Sequence, residues 1–344
     1  MSFLINLVNE NLQFTCEVGE TVLDAALKQG VALSHGCRNG YCSSCKGQII
    51  SGEITYPDGQ PDGISNEEVR DGDALFCKAT PVSDISILVK VVLQDKPIQI
   101  KKLPARVKQV DHLSEDVIQM VLQLPAIEPL NFKAGQWINF VLKDGKKRAF
   151  SIANAPNERN ELELQIRHAV GGVFTDFVFN NMQVGAVLQI EGPHGSFYYQ
   201  QDENPILLVA GGTGFAPIKG ILEEILQHKP AHPIHLFWGL KARKDLYLQD
   251  LVKQWTDQYG LQYTAVLSEP EVNDQWEGKT GYVHQAVIEE YPNLSTLSVY
   301  MAGPPQMIQS CKEEFIAAGL DDHRLYYDSF EFSTDAQNAM KQKG

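Results

Sequence analysis

The sequence predicts a multidomain chain of mixed α+β and α/β class: a small β-rich α+β module, then an antiparallel β-barrel, then a parallel doubly wound domain. Three observations predict this order. Residues 1–93 alternate in strand fashion around one main helical stretch. Residues 103–202 carry six short alternating runs separated by turn residues, the pattern of a small barrel. From residue 203 to 332 continuous apolar runs alternate with helical patterns, as in a parallel sheet whose strands are buried on both faces. At 344 residues the chain is long enough for two or three such domains.

Composition narrows the function. Apolar residues make up 43% and charged residues 21%, an ordinary globular balance. A formal net charge of −14 and a pI near 5.1 argue against nucleic-acid binding, which needs a basic face. No apolar run is long enough to span a membrane. The start, Met-Ser-Phe-Leu-Ile-Asn, lacks the basic and apolar regions of a signal peptide, so a cytoplasmic location is expected.

The elements follow in order. Residues 3–8 and 13–18 read as strands joined by a turn at Asn9-Glu10-Asn11. Thr21 caps a helix with Asp24 at the capping-box position, and Gly30 ends it. A strand at 46–50, a Pro/Gly/Asp-rich loop at 56–63, a short polar helix at 66–71 and a strand at 85–93 complete the first module. Residues 94–102 read as a polar linker. Barrel strands are expected at 104–110, 117–124, 137–143, 148–153, 161–168 and 187–191, with one helix at 174–180. The last domain reads as strands at 206–210, 235–238, 262–267 and 298–302, with helices at 218–226, 247–254, 283–289 and 306–318. The polar tail, 333–344, reads as loose.

The chemistry begins between Ser34 and Gly47, where Cys37, Cys42 and Cys45 stand at C-x4-C-x2-C, with Cys77 far downstream. Zinc ribbons instead repeat C-x2-C pairs, and disulfides are rare in a reducing compartment. The spacing resembles that of plant-type 2Fe-2S ferredoxins, and residues 1–93 resemble that fold, which implies a β-grasp domain. The resemblance implies that these four cysteines hold a 2Fe-2S cluster. Cys16 and Cys311 sit in a strand and a helix pattern and read as small core residues.

Two further motifs lie downstream. Arg148-Ala149-Phe150-Ser151 opens a barrel strand, and Gly171-Gly172-Val173-Phe174-Thr175 leads into the barrel's helix. Amides at a helix N-terminus favour an anion, and an arginine can pair with phosphate bidentately. Together the motifs resemble Arg-x-Tyr-Ser and Gly-Gly-x-x-Ser/Thr of the ferredoxin–NADP reductase superfamily. That resemblance implies FAD, with Arg148 and residues Gly171, Gly172, Val173, Phe174 and Thr175 on its phosphates. Phe150, where tyrosine is usual, would stack beside the isoalloxazine, and Ser151 would hydrogen-bond near N5 as a positioning group. Arg167 and His168, ending the neighbouring strand, are further candidates.

In the last domain a buried strand runs into Gly211-Gly212-Thr213-Gly214, and the fourth strand runs into Ala302-Gly303-Pro304. A glycine-rich turn between strand and helix cradles phosphates. Both segments resemble the nicotinamide-binding segments of the same superfamily, with Ala302 in place of the usual cysteine. Glu269 stands where NADPH users of the superfamily place arginine, so NADH is the expected donor. Phe330 is the candidate aromatic that shields the flavin face; the other reading is a closing strand with core aromatics. The resemblance thus implies an oxidoreductase passing electrons from NADH to FAD to 2Fe-2S, and on to a redox partner protein, an oxygenase or an iron–sulfur dehydrase component. The alternative is a free-flavin reductase or redox sensor whose cluster module regulates or docks.

Overall fold

The computed structural model describes residues 2–91, 99–157, 159–201, 203–228 and 232–330. Most of the expected linker and all of the expected tail lie outside these residues. The chain divides into two compact units. The first holds the N-terminal residues together with Gly195–Phe197, and the second holds the remainder.

The first unit contains β1 (Ser2–Leu7), β2 (Leu12–Glu17), α1 (Val22–Lys28), β3 (Lys46–Ser51), β4 (Ile54–Thr55), α2 (Asn66–Arg70), β5 (Asp73–Leu75), β6 (Thr80–Pro81) and β7 (Ile85–Val89). Five strands form one sheet in the order β2-β1-β7-β3-β5, with β1 and β7 parallel. Thr21 caps α1 as its spacing predicts: its hydroxyl accepts from Asp24 N at 3.2 Å. The helix buries Val22, Leu23, Ala25 and Ala26 in a core with Ile5, Leu7, Phe76 and Ile87. Cys16 is part of that core, where burial and then Glu20 push its thiol up to about 12.

The second unit opens with β8 (Lys101–His112), β9 (Val117–Gln123), β10 (Trp137–Val141), β11 (Lys147–Ser151), β12 (Glu161–Arg167), α3 (Val173–Asn181) and β13 (Val187–His194). The strands pair in the order β11-β10-β13-β8-β9-β12, all antiparallel. An Ile152–Leu164 bridge joins the two ends of the sheet and closes the barrel. Its interior is packed with Leu103, Met120, Phe140, Leu164 and Ile190, and α3 adds Phe174 and Val178.

The unit continues with β14 (Ile206–Gly211), α4 (Phe215–Gln227), β15 (Ile234–Leu240), α5 (Gln249–Tyr259), β16 (Gln262–Leu267), β17 (Lys279–Thr280), α6 (Val283–Glu290), β18 (Ser298–Gly303), α7 (Pro305–Ala317) and β19 (Leu325–Ser329). Six strands pair in parallel, in the order β17-β16-β15-β14-β18-β19. Helix α4 starts before Pro217 rather than after it, because a proline in the first turn has no intrahelical hydrogen bond to lose. Helix α5 runs on to Tyr259 and stops at Gly260, whose φ of 70° forms a left-handed cap. Cys311 is fully buried in the core of this domain, and burial pushes its thiol up.

One buried group ties this sheet to pH. His235, on β15, lies between the hydroxyls of Tyr291 and Thr264, 2.9 Å from each. Burial pushes its pKa down to about 4, against ~6.5 for a free imidazole. Between those values the unfolded chain binds a proton that the folded chain does not. His235 therefore contributes stability that is fully present above pH ~6.5 and is lost as pH falls toward 4. Urea unfolding at pH 7 and pH 5 should show a loss of about 1 kcal/mol from this group, allowing for solvent screening. The loss should shrink in His235→Gln.

Candidate functional site

The four cysteines predicted as ligands stand as two pairs. Cys37 and Cys42 face each other across the cluster loop: Cys37 N donates to Cys42 Sγ at 3.3 Å, and Cys42 N donates to Cys37 Sγ at 3.4 Å. Cys45 and Cys77 are brought together as the second pair where Phe76 N donates to Cys45 O at 3.1 Å. The neighbouring Cys45 side chain holds the Cys77 thiol below its usual range. The Cys42 side chain, helped by the backbone amides of Asn39, Cys42 and Tyr41, holds Cys37 down to about 5. A 2Fe-2S cluster takes four thiolates shared between its two irons, whereas one zinc takes all of its ligands on a single ion. The two pairs fit the former.

Local structure explains the placement. Strand β3 pairs with β5 through Lys46 and Leu75, and Phe76 N donates to Cys45 O at 3.1 Å. Ser43 donates to Gly63 O at 2.6 Å, so the 56–63 loop buttresses the cluster loop.

In the second unit, Arg148, Phe150 and Ser151 lie on β11 opposite Phe140, Ile138 and Trp137 of β10. Phe150 packs against Phe140 and Phe174, with ring centroids 5.7 and 5.6 Å away. The predicted stacking residue and the predicted phosphate helix are therefore neighbours. Gly172 is the N-cap of α3 and has no side-chain cap, leaving first-turn amides such as that of Phe174 without intrahelical acceptors. The Thr175 hydroxyl instead braces the loop, donating to Ala169 O at 2.9 Å. Asp176, which the sequence did not single out, accepts from Gly171 N at 3.2 Å and pairs with His168 at 2.7 Å. His168 in turn stacks on Phe179.

At the carboxyl edge of the parallel sheet, β14 leads into the turn Gly212–Gly214 and β18 leads into Pro304. The two predicted nucleotide segments touch: a Cβ on Gly214 would collide with the Ala302 carbonyl. Trp238, fully buried, donates to Gly212 O at 3.0 Å and stacks on Phe215. Phe330 N donates to Gly303 O at 3.3 Å, so this aromatic adjoins the same edge. Arg167, ending β12, has a guanidinium nitrogen 3.6 Å from where a Gly212 Cβ would sit. It pairs with Asp116 at 3.3 Å, while its Nη2 is buried without a hydrogen-bond partner. An unsatisfied guanidinium N–H between the flavin strand and the glycine-rich turn suits a phosphate-bearing cofactor.

Glu269 follows β16 and is 69% exposed; Lys241, at the end of β15, lies 3.5 Å away. That cation is not legible beside Glu269 in the sequence, because only parallel pairing of β15 with β16 brings the two together.

Comparison with known proteins adds three matches to domain models. Residues 5–82 match a 2Fe-2S iron-sulfur cluster binding domain, residues 104–199 an oxidoreductase FAD-binding domain, and residues 208–313 an oxidoreductase NAD-binding domain. The chain is 34% identical over 331 residues to a CDP-6-deoxy-L-threo-D-glycero-4-hexulose-3-dehydrase reductase of Yersinia pestis, covering 96% of this chain and 99% of that one. It is 32% identical over 335 residues to a terephthalate 1,2-dioxygenase reductase component of Comamonas sp, with 97% and 98% covered. Among solved structures, the Amycolatopsis cytochrome P450 reductase GcoB matches with a TM-score of 0.77 and 30% identity, over 95% of this chain and 98% of that one. Among the described residues no helix is long and apolar enough to cross a membrane.

The contact between the two glycine-rich segments gives a direct check. Gly214→Val should weaken nicotinamide nucleotide binding at least about tenfold and destabilise the unit by about 1–3 kcal/mol, the usual cost of overpacking. Fluorescence titration with NADH and thermal melting measure the two effects, and flavin content should be unchanged.

Proposed function

Because the chain belongs to the ferredoxin–NADP reductase superfamily, as a three-domain iron–sulfur flavoprotein reductase, we propose that it takes electrons from NADH and delivers them singly to a partner oxygenase or iron–sulfur dehydrase. One observation carries the reading: a single chain holds two thiol pairs, a flavin-type barrel and a nucleotide edge. The relatives that the chain covers almost end to end are reductase components of such systems. Bound flavin supplies the exchange between a hydride pair and single electrons, and a bound 2Fe-2S cluster supplies one-electron delivery.

The chain's own residues bind and orient. Arg148 and the amides at the start of α3 hold flavin phosphate, and Ser151 holds the ring edge near N5. Phe150, braced by Phe140 and Phe174, stands beside the ring. Gly211, Gly212, Thr213 and Gly214 face Ala302, Gly303 and Pro304 across the nucleotide edge, and Phe330 shields the flavin face. Cys37, Cys42, Cys45 and Cys77 hold the cluster, for which a reducing compartment such as the cytoplasm is suited.

Glu269 accepts from the free ribose hydroxyls of NADH and repels a 2′-phosphate. Lys241 partly offsets that repulsion. Glu269→Arg should therefore shift the kcat/KM ratio toward NADPH by about tenfold. An unchanged ratio would remove Glu269 from specificity.

The boundary we propose near residue 102 separates one-electron from two-electron chemistry. Residues 103–344 alone should oxidise NADH with a small acceptor that draws directly on flavin. They should lose most reduction of cytochrome c, and Cys77→Ser in the full chain should behave alike. Full-rate cytochrome c reduction by both variants would favour the alternative, in which the cluster module only docks or regulates.

A further inference from the structure

Lysines are almost never fully buried unless paired. Lys219, in α4, is 3% exposed, and it lies one and a half turns beyond the Gly212–Gly214 turn from which the helix springs. An ammonium has three N–H groups, and each here has an acceptor: Ala153 O at 3.0 Å, Glu163 Oε2 at 3.0 Å and Glu223 Oε1 at 2.7 Å. The other Glu223 oxygen accepts from Ala155 N at 3.1 Å. Ala153 lies two residues beyond Ser151 on the tail of β11, and its N–H donates to Glu163 O of β12 at 2.7 Å.

The next residue packs on the same stretch. A Cβ on Gly220 would come within 3.2 Å of Asn154 O and 3.3 Å of Ile152 O. Helix α4 therefore meets the backbone of 152–154 with no side chain between them, and the lysine fastens it there. The helix carries the nicotinamide turn at one end, and the strand tail continues from the flavin motif Arg148–Ser151. A buried ion cluster is a weak source of stability because desolvation offsets its attraction, but three fixed directions leave little freedom to slide.

We propose that Lys219 is a positioning residue that, with Gly220, sets the distance and angle between the nicotinamide turn and the flavin strand. This rests on the reading above, that a hydride passes from NADH to flavin within this unit, leaving NAD+. Misplacement by about 1 Å from a site remote from the chemistry can cost about a hundredfold in rate.

The test uses the full-length, FAD-loaded protein mixed anaerobically with NADH. Lys219→Met should lower the limiting rate of flavin reduction at least about tenfold and change the isotope effect from 4-deuterated NADH. FAD content should be retained and the half-saturating NADH concentration should stay within about twofold, as expected when positioning rather than binding is lost. Without nucleotide, amide exchange at Ala153 and Ala155 should speed up. Gly220→Ala keeps every charge and should slow reduction in the same direction, so it carries the test if the lysine variant does not fold. Wild-type limiting rates and isotope effects in FAD-loaded variants, even with lower melting temperatures, would make the cluster a plain structural brace and overturn the proposal. Failure of the underlying reading is distinct: wild-type flavin would then not be reduced by NADH, and the proposal would fall with it.

Discussion

Cys77 can serve the cluster loop only because a core residue delivers it. Phe76 is fully buried, its carbonyl accepts from Leu23 N, and its own N–H reaches Cys45 O. The hydrophobic core of the first unit thus holds the distant thiol against the local loop, at a separation that sequence proximity alone could not fix. Everything proposed for electron exit depends on this junction, since three thiolates from one loop leave one ligand position unfilled. The core also explains why α1 sits where it does: Val22 and Leu23 donate to Ala79 and Phe76, so helix, turn and ligand form one packed piece.

The second unit solves a different problem. Two cofactor-binding halves, a barrel and a parallel sheet, must present their edges at a set separation. Direct backbone contact does this more firmly than side-chain packing would. Gly220 of the sheet half abuts 152–154 of the barrel half, and within the sheet half Gly214 abuts Ala302. Trp238 holds the turn at Gly212, and Tyr247 reaches across to Gln165 at 2.8 Å. Arg167 lies where these lines meet, with an unsatisfied nitrogen. Exposed pairs such as Glu269–Lys241 contribute little stability.

Much of this was legible in the sequence because it is local. The C-x4-C-x2-C spacing, the glycine-rich turns and the Thr21 cap each act within a few residues, and the alternating and continuous apolar runs separate barrel from parallel sheet. What escaped detection is long-range or short. Strands β4, β6 and β17, of two residues each, carry no periodicity. Strand β19 is legible as a closing strand, but its parallel pairing with β18 is a tertiary fact. Lys219 reads in sequence as one more helix lysine, and only the approach of β11 and β12 shows that it is buried. Lys241 and Asp176 escaped for the same reason. Gly260 was a readable stop signal for α5, and the shorter helix expected there overlooked it.

On the proposed route, electrons from NADH reach the cluster held by Cys37, Cys42, Cys45 and Cys77 by way of the flavin. Anaerobic titration of the reconstituted full-length chain with NADH, followed by visible absorption, tests that route. Uptake of about three electrons per chain is expected, two at the flavin and one at the cluster, with both chromophores bleached. Uptake of about two electrons, with the cluster absorption unchanged at excess NADH, would contradict it.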